Sequence, residues 1–451
     1  MWLRVIASNG ALLVVVLAVC SASGEIMDSR APVKPDGQSH EAPLFEEPTG
    51  VLSLREAVAL TLAKNPDLSA FSWEVRAREA RTLQAGLLPN PELNVLVEDI
   101  GGSGDFHGAR QAQTTITLSQ LIELGGKRAA RMHATSLTRD LAGWDYEVRR
   151  IETLTQVSQA FSDTLAAQQR LHLAEELVGL AEEVTRSVSE RVKAGKVSPI
   201  EETKAEIALS SVQIDRERAR LALEAARQRL AATWGSATPR FDRVEGDLDQ
   251  VVPLPSLESL AERLARNPVL ARWAAEMAQR QALVQVERAN AIPNITINGG
   301  YRRLNETDDN AVLFGISVPL PLFNRNQGSI VEARHRLAKA EAERRAAEVR
   351  VTSALSDAYK ALATAHAEAV GLRANVIPAA QSAFERINEG YRLGKFGYLD
   401  VLDAQRTLFD ARARYLQTVT DYHRAAAEVE RLVGEPLATI QTGGTRQEPP
   451  L

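Results

Sequence analysis

A closely spaced acidic pair, Asp400 and Asp403, lies in the stretch YLDVLDAQR from 398 to 406. Three apart on a helix, their carboxylates share one face. Repeated around a symmetry axis, such pairs attract cations and repel anions. The plainer reading is a solvated first turn, where Asp suits the positive end of the helix dipole. Other chemistry is sparse. The seven His are scattered without the spacing of a metal site. His107, beside Asp105 in a polar stretch, reads as solvated. There is no phosphate-cradling Gly loop, no GxSxG and no HExxH, so neither an enzyme nor a cofactor is expected.

The elements that would position those carboxylates follow from composition. The net charge of -5, from 53 basic and 58 acidic residues, gives no footprint for nucleic acid. Aromatics are only 5%, while Ala, Leu, Glu, Arg and Gln abound, the composition of long helices. At the N-terminus, Arg4 followed by ALLVVVLAVC reads as an export signal over residues 1–23. The apolar run is too short for the roughly 20 residues of a spanning helix. The only cysteine, Cys20, follows that run and resembles the lipid-accepting Cys of bacterial lipoproteins. Cleavage after Ser23 is the alternative. Residues 24–50 read as an extended leader and 436–451 as a flexible tail.

The body of the chain is written twice. EAVALTLAKNPDL (56–68) pairs with ESLAERLARNPVL (258–270), LLPNPELNVLVE (87–98) with AIPNITINGGY (291–301), and TTITLSQLIELGGKR (114–128) with FGISVPLPLFNRNQG (314–328). RVKAGKVSPIEE pairs with YRLGKFGYLD, placing Gly195 opposite Gly394. All are offset by about 199 to 204 residues, which indicates a duplicated unit. The repeats run over 51–250 and 251–435.

Each repeat holds a helix, two short strands, a very long helix, a tight turn and a shorter helix. The long stretches, Arg128–Lys193 and Gly328–Leu393, carry apolar residues at steps of three and four. A helix of that length reaches about 100 Å at about 1.5 Å per residue, so it calls for a coiled-coil partner. Pro378 is expected to kink the second one. Half-length helices over Arg55–Leu88, Glu201–Trp234, Ser256–Asn290 and Tyr398–Val433, stacked in pairs, would flank the long ones. The turns at 195–199 (Gly195, Lys196, Ser198, Pro199) and 394–398 (Gly394, Lys395, Gly397) then lie together at one far end. Two ordinary helical hairpins would also explain the turns, but not the matched lengths.

At the other end, strands are expected at about 92–98, 114–119, 294–301 and 312–318, each alternating apolar and polar residues. A water-exposed sheet on a core is one explanation. A barrel in an outer membrane is the other. Four strands cannot close, and open edges are intolerable in lipid, so several chains would contribute strands to one barrel.

At LPNPEL, LSQLIELGGKR, VPLPLFNRNQG and YRLGKFGYLDVLDAQRTL the chain resembles the TolC-like outer-membrane efflux factors, most closely their cobalt–zinc–cadmium (CzcC-like) branch. The resemblance covers about residues 50–435. It implies a mainly α chain with a small β part. In a homotrimer, four strands per protomer form an outer-membrane β-barrel, continued by a periplasmic α-helical coiled-coil barrel. It implies a passive exit duct, with a periplasmic adaptor and a proton-driven inner-membrane RND-type transporter as partners. Divalent heavy-metal cations are the implied cargo. Drugs or secreted proteins on the same fold, or a purely structural periplasmic coiled coil, are the alternatives. The two turns become adaptor-docking tips, and Asp400, Asp403 and Tyr391 line the periplasmic aperture. The family's closing latch also uses an arginine where this chain has Phe396; Lys395 or Lys193 would have to stand in.

Overall fold

The computed structural model describes residues 47–442. The export signal, Cys20, nearly all of the leader and the tail beyond 442 lie outside them.

The first repeat begins with strand β1 (Gly50–Ser53) and helix α1 (Leu54–Lys64), joined by a reciprocal cap in which Ser53 N donates to Glu56 Oε2 at 2.9 Å and Glu56 N to Ser53 Oγ at 3.3 Å. Helix α2 (Pro66–Ala85), strands β2 (Glu92–Glu98) and β3 (Gln113–Ile122), the 67-residue helix α3 (Lys127–Lys193), helix α4 (Pro199–Ala232) and strand β4 (Phe241–Glu245) follow. The second repeat holds α5 (Leu257–Arg263), α6 (Pro268–Asn290), β5 (Ile295–Leu304), β6 (Asp309–Ser317), α7 (Gln327–Gly371), a π-helical segment (Leu372–Val376), α8 (Ile377–Arg392), α9 (Tyr398–Val433) and α10 (Leu437–Thr442).

The structure departs from the sequence reading in five places. The half-length helices over 55–88 and 256–290 are each broken, at Asn65-Pro66 and Asn267-Pro268. In both, the Asn caps the next helix, with Asn65 Oδ1 accepting from Leu68 N at 2.9 Å and Asn267 Oδ1 from Val269 N at 2.7 Å. Each Asn amide also clamps the end of another helix, at Thr233 O (2.8 Å) and Leu432 O (2.6 Å). At Pro378 the second long helix is interrupted by a π-helical segment, Leu372–Val376. The proline's missing N–H is absorbed by that segment, just before it. Gly50, assigned to the leader, already belongs to β1, which pairs in parallel with β4. The segment 437–442, assigned to the tail, is helical, with Leu437 and Ile440 buried. Finally, the polar stretch 302–311 is mostly strand: β5 and β6 continue to Leu304 and from Asp309, leaving a four-residue turn.

Strands β2, β3, β5 and β6 form one antiparallel sheet in that order. Val95, Ile116, Tyr301 and Val312 stand in one row across it, and Leu93, Leu118, Gly299 and Phe314 in the next row on the same face. Val312 is 77% exposed, Phe314 75% and Leu93 69%. Large apolar side chains this bare are what a lipid-facing surface requires. The opposite face carries Thr115, Thr117, Ser119, Asn298 and Arg302, with Arg302 Nε donating to Thr115 Oγ1 at 3.0 Å.

Away from the sheet, the first half of α3 packs between α2 and α6, and α6 packs on α7. Further along, the order becomes α4, α3, α9, then α7 continuing into α8. Between these regions Leu52, Val157, Phe161, Leu230, Trp234, Phe241, Val244 and Val419 form a core under the β1–β4 pair. Among the described residues no helix is long and apolar enough to cross a membrane.

Candidate functional site at the hairpin tips

The two tips are built by the same local chemistry. Each long helix ends on a glycine in the left-handed conformation, Gly195 (φ +69°) and Gly394 (φ +76°). Lys196 N donates to Arg191 O at 2.9 Å, and Lys395 N to Gly390 O at 2.8 Å, closing equivalent turns 199 residues apart. They differ in how the chain restarts. Ser198 Oγ accepts from Ile200 N at 3.4 Å with Pro199 in the first turn of α4, whereas Gly397 N donates to Asp400 Oδ2 at 2.8 Å. Phe396 lies flat on Gly390. A Cβ there would come within 2.3 Å of its ring, so this position has no room for a side chain.

Asp400 and Asp403 are both exposed on α9, and no ion pair joins either to a basic residue. Asp400 uses one oxygen as the helix cap, so the plainer reading of that residue describes part of its role. Asp403 Oδ atoms are free of such a duty, since its backbone carbonyl, not its carboxylate, accepts from Thr407 at 2.9 Å.

Tyr391 is buried, 4% exposed, and its hydroxyl has no hydrogen-bond partner. The Arg191 guanidinium sits 4.4 Å from the centre of its ring and donates to Tyr391 O at 3.3 Å. This cation–π contact joins the two hairpins at their tips. Neither Lys395 nor Lys193 makes it. Arg191 stands in the first repeat where Gly390 stands in the second; what brings it to Tyr391 is the packing of one hairpin on the other. Further up, Arg392 pairs with Glu183 at 3.1 Å, Arg412 with Glu176 at 3.2 Å and Arg424 with Asp163 at 2.8 Å, so α3 is tied to the second hairpin along its length. Behind them Val184, Val188, Phe384, Tyr398, Val401 and Leu408 pack together. Burial there pushes the Tyr398 hydroxyl up to about 12.

A sheet bare and apolar on one face, standing on hairpins that run far from it, defines a membrane channel with a long helical extension. The chain belongs to the outer membrane efflux protein family, whose pattern it matches over residues 57–236 and 260–435, one stretch per repeat. It resides in the outer membrane, extends into the periplasm and is the channel component of an efflux system. It is 38% identical over 405 residues to the cobalt-zinc-cadmium resistance protein CzcC of Cupriavidus metallidurans, covering 90% of this chain and 95% of that one. It is 28% identical to the nickel-cobalt-cadmium resistance protein NccC of Alcaligenes xylosoxydans xylosoxydans, over 72% of this chain and 77% of the relative. The crystallised channel CusC superposes with a TM-score of 0.74 at 18% identity, over 91% of this chain and 99% of that one, a likeness of fold. Family membership removes the alternative of a coiled coil without a membrane part.

Proposed function

We propose that three copies of this chain form one passive exit duct for divalent heavy-metal cations, driven by an inner-membrane RND-type transporter and coupled to it by a periplasmic adaptor. The observation that carries the cargo is the 38% identity to a cobalt-zinc-cadmium resistance protein across nearly the whole of both chains.

Two unfinished edges support self-assembly. The sheet ends at β2 and β6, whose outer edges have no partner strand among the described residues, and lipid does not tolerate such open edges. Three copies would give twelve strands closed into one barrel. The helical layer ends in α4 on one side and α8 on the other. Ile200, Ile207, Ile214 and Leu221 run down the outer side of α4 at seven-residue spacing, each more than half exposed. Within one chain the layer alternates shorter and longer members: α4, α3, α9, then α7 continuing into α8. A neighbouring copy's α4 laid on α8 continues that alternation, so the contact between copies repeats the α3–α9 contact within one.

At the tips, three copies would gather six carboxylates from Asp400 and Asp403 around the axis, with Tyr391 behind them and the turns of Gly195, Lys196, Ser198, Pro199, Gly394, Lys395 and Gly397 presented to the adaptor. Such a ring favours cations over anions. Replacing both aspartates by alanine is expected to raise single-channel conductance and lower cation selectivity in planar bilayers; unchanged currents remove them from the aperture. Deleting the gene should sensitise its host to zinc, cobalt or cadmium. Sensitivity confined to dyes and detergents would sink the metal reading.

A further inference from the structure

We infer that the linker from Val318 to Phe323 is embedded in the periplasmic leaflet of the outer membrane and completes the lipid-contacting belt of the barrel. The inference rests on the barrel reading above and adds a segment that is not strand.

The strands alone make too short a belt. On the lipid-facing side of β6 the apolar residues are Val312, Phe314 and Ile316, with Val318 directly after the strand. The next row outward mixes Val97 with Thr114, Arg303 and Asn310, so the belt ends at Val312 on that side. The six steps from Val312 to Val318, at about 3.4 Å each, span about 20 Å along the strand, or about 16 Å along the membrane normal at a tilt of about 40°. Outer-membrane barrels carry an apolar band of about 25 Å. Roughly 9 Å is missing, and it is missing on the periplasmic side.

The chain continues on that side with Pro319, Leu320, Pro321, Leu322 and Phe323. Leu320 is 74% exposed, Leu322 65% and Phe323 89%, the barest large apolar side chain among the described residues. The linker turns at Pro321, where Leu322 N donates to Leu320 O at 2.8 Å. Leu87 and Leu88, in the linker entering β2, are bare as well. Arg325 follows at once, donating to Pro321 O at 3.2 Å, and is placed for phosphate headgroups.

The duplicated counterpart shows that this is not a requirement of the fold. In the first repeat the strand itself runs on to Ile122, and the linker into the long helix is only Glu123, Leu124, Gly125 and Gly126. Glu123 is held by Arg131 at 2.7 and 3.1 Å, and left-handed Gly125 packs against Ile292. That linker folds back on the protein; the second one does not.

The test uses the full chain in vesicles containing phosphatidylcholines brominated near the headgroup or deep in the acyl chain. Fluorescence of Phe323→Trp, Phe314→Trp and Leu83→Trp is read as the difference from wild type. Phe314→Trp should lose intensity most to the deep bromines and Phe323→Trp to the shallow ones, with Leu83→Trp unaffected. Quenching at 314 but not at 323 overturns the inference. This holds whether 323 proves accessible to aqueous iodide or shielded from both quenchers by a neighbouring copy. Absence of quenching at 314 instead removes the barrel reading itself.

Discussion

Helices α4 and α9 occupy the same place in the two repeats and have nearly the same length, 34 and 36 residues. Their surroundings are opposite. Along α9, Val401, Leu408, Val419, Tyr422 and Val429 are almost completely buried, whereas α4 buries only Ala205, Ala226, Leu230 and Ala231. The cause is position in the layer: α9 lies between α3 and α8, whereas among the helices α4 packs chiefly on α3. The long helices differ in the converse sense. Central α3 runs unbroken for 67 residues, while edge helices α7 and α8 are separated by a π-helical segment. Duplication therefore gave each hairpin one helix with partners on both sides and one helix with a free side. The free sides are what a second copy would occupy.

The largest effect should come from that free side. Ile207→Asp with Ile214→Asp places two carboxylates on the outer stripe of α4 without touching the core of one chain. We expect trimers to disappear in crosslinking and bilayer channel activity to vanish with them, while far-ultraviolet circular dichroism stays helical. As a contrast, Leu408→Ala, in the middle of α9, should cost about 2–4 kcal/mol of stability through the cavity it leaves. It should do so whether or not the chain is assembled. Trimers that survive both aspartates would mean that α4 is not an interface helix.

A smaller effect is expected at the tips, where the two repeats are most alike. Gly195→Val and Gly394→Val each force a β-branched residue into the left-handed conformation, at about 1–2 kcal/mol. No atom lies within 4 Å of a Cβ added at either site, so the penalty is confined to the backbone. Trimers should persist, and crosslinking to the adaptor should fall for both variants. A fall for only one of them would show that the docking surface belongs to a single hairpin, separating two tips that share the same turn chemistry.

These contrasts also show what the sequence could carry. The long helices were legible because steps of three and four persist over sixty residues, and the strands because period two places Leu93, Val95 and Val97 on one side. The tips were legible from Gly195 and Gly394. The breaks at Asn65-Pro66 and Asn267-Pro268 were present in the repeated stretches that revealed the duplication. The helical period on both sides outweighed them, because a capping Asn needs its tertiary clamp, Thr233 O or Leu432 O, to be recognised. The β1–β4 pair joins segments about 190 residues apart, each too short to show a period of its own. The π-helical segment is a local accommodation of Pro378 that depends on the helix continuing to pack on α9 past the proline. At the site, the aspartates and the turns could be read directly. The contact of Arg191 with Tyr391 had no local signal, because it arises only from the packing of the two hairpins on each other.

The smallest effect concerns ionisable groups on the same two helices. On α9, Glu430 is largely removed from water; this burial raises its pKa, opposed by a hydrogen bond of 2.8 Å from Leu437 N. On α4, the fully exposed Glu217 is lowered, chiefly by its hydrogen bonds from Arg220. The two therefore couple to folding with opposite sign. A raised folded pKa gives Glu430 a contribution that is complete below its unfolded value of 4.5 and lost as pH rises through the folded value. Above that range a buried carboxylate is held without a cation. A lowered folded pKa gives Glu217 a contribution present above 4.5 and lost as pH falls through the folded value, and on an exposed helix salt screens most of it. Gln at 430 keeps an oxygen for the Leu437 amide and carries no charge. Glu430→Gln should thus melt at a higher temperature than wild type at pH 7.5, with the difference closing by pH 4. Glu217→Gln should melt with wild type at both pH values in physiological salt. Identical melting of wild type and Glu430→Gln at pH 7.5 would show that water reaches the end of α9 and that its interior character stops short of Glu430.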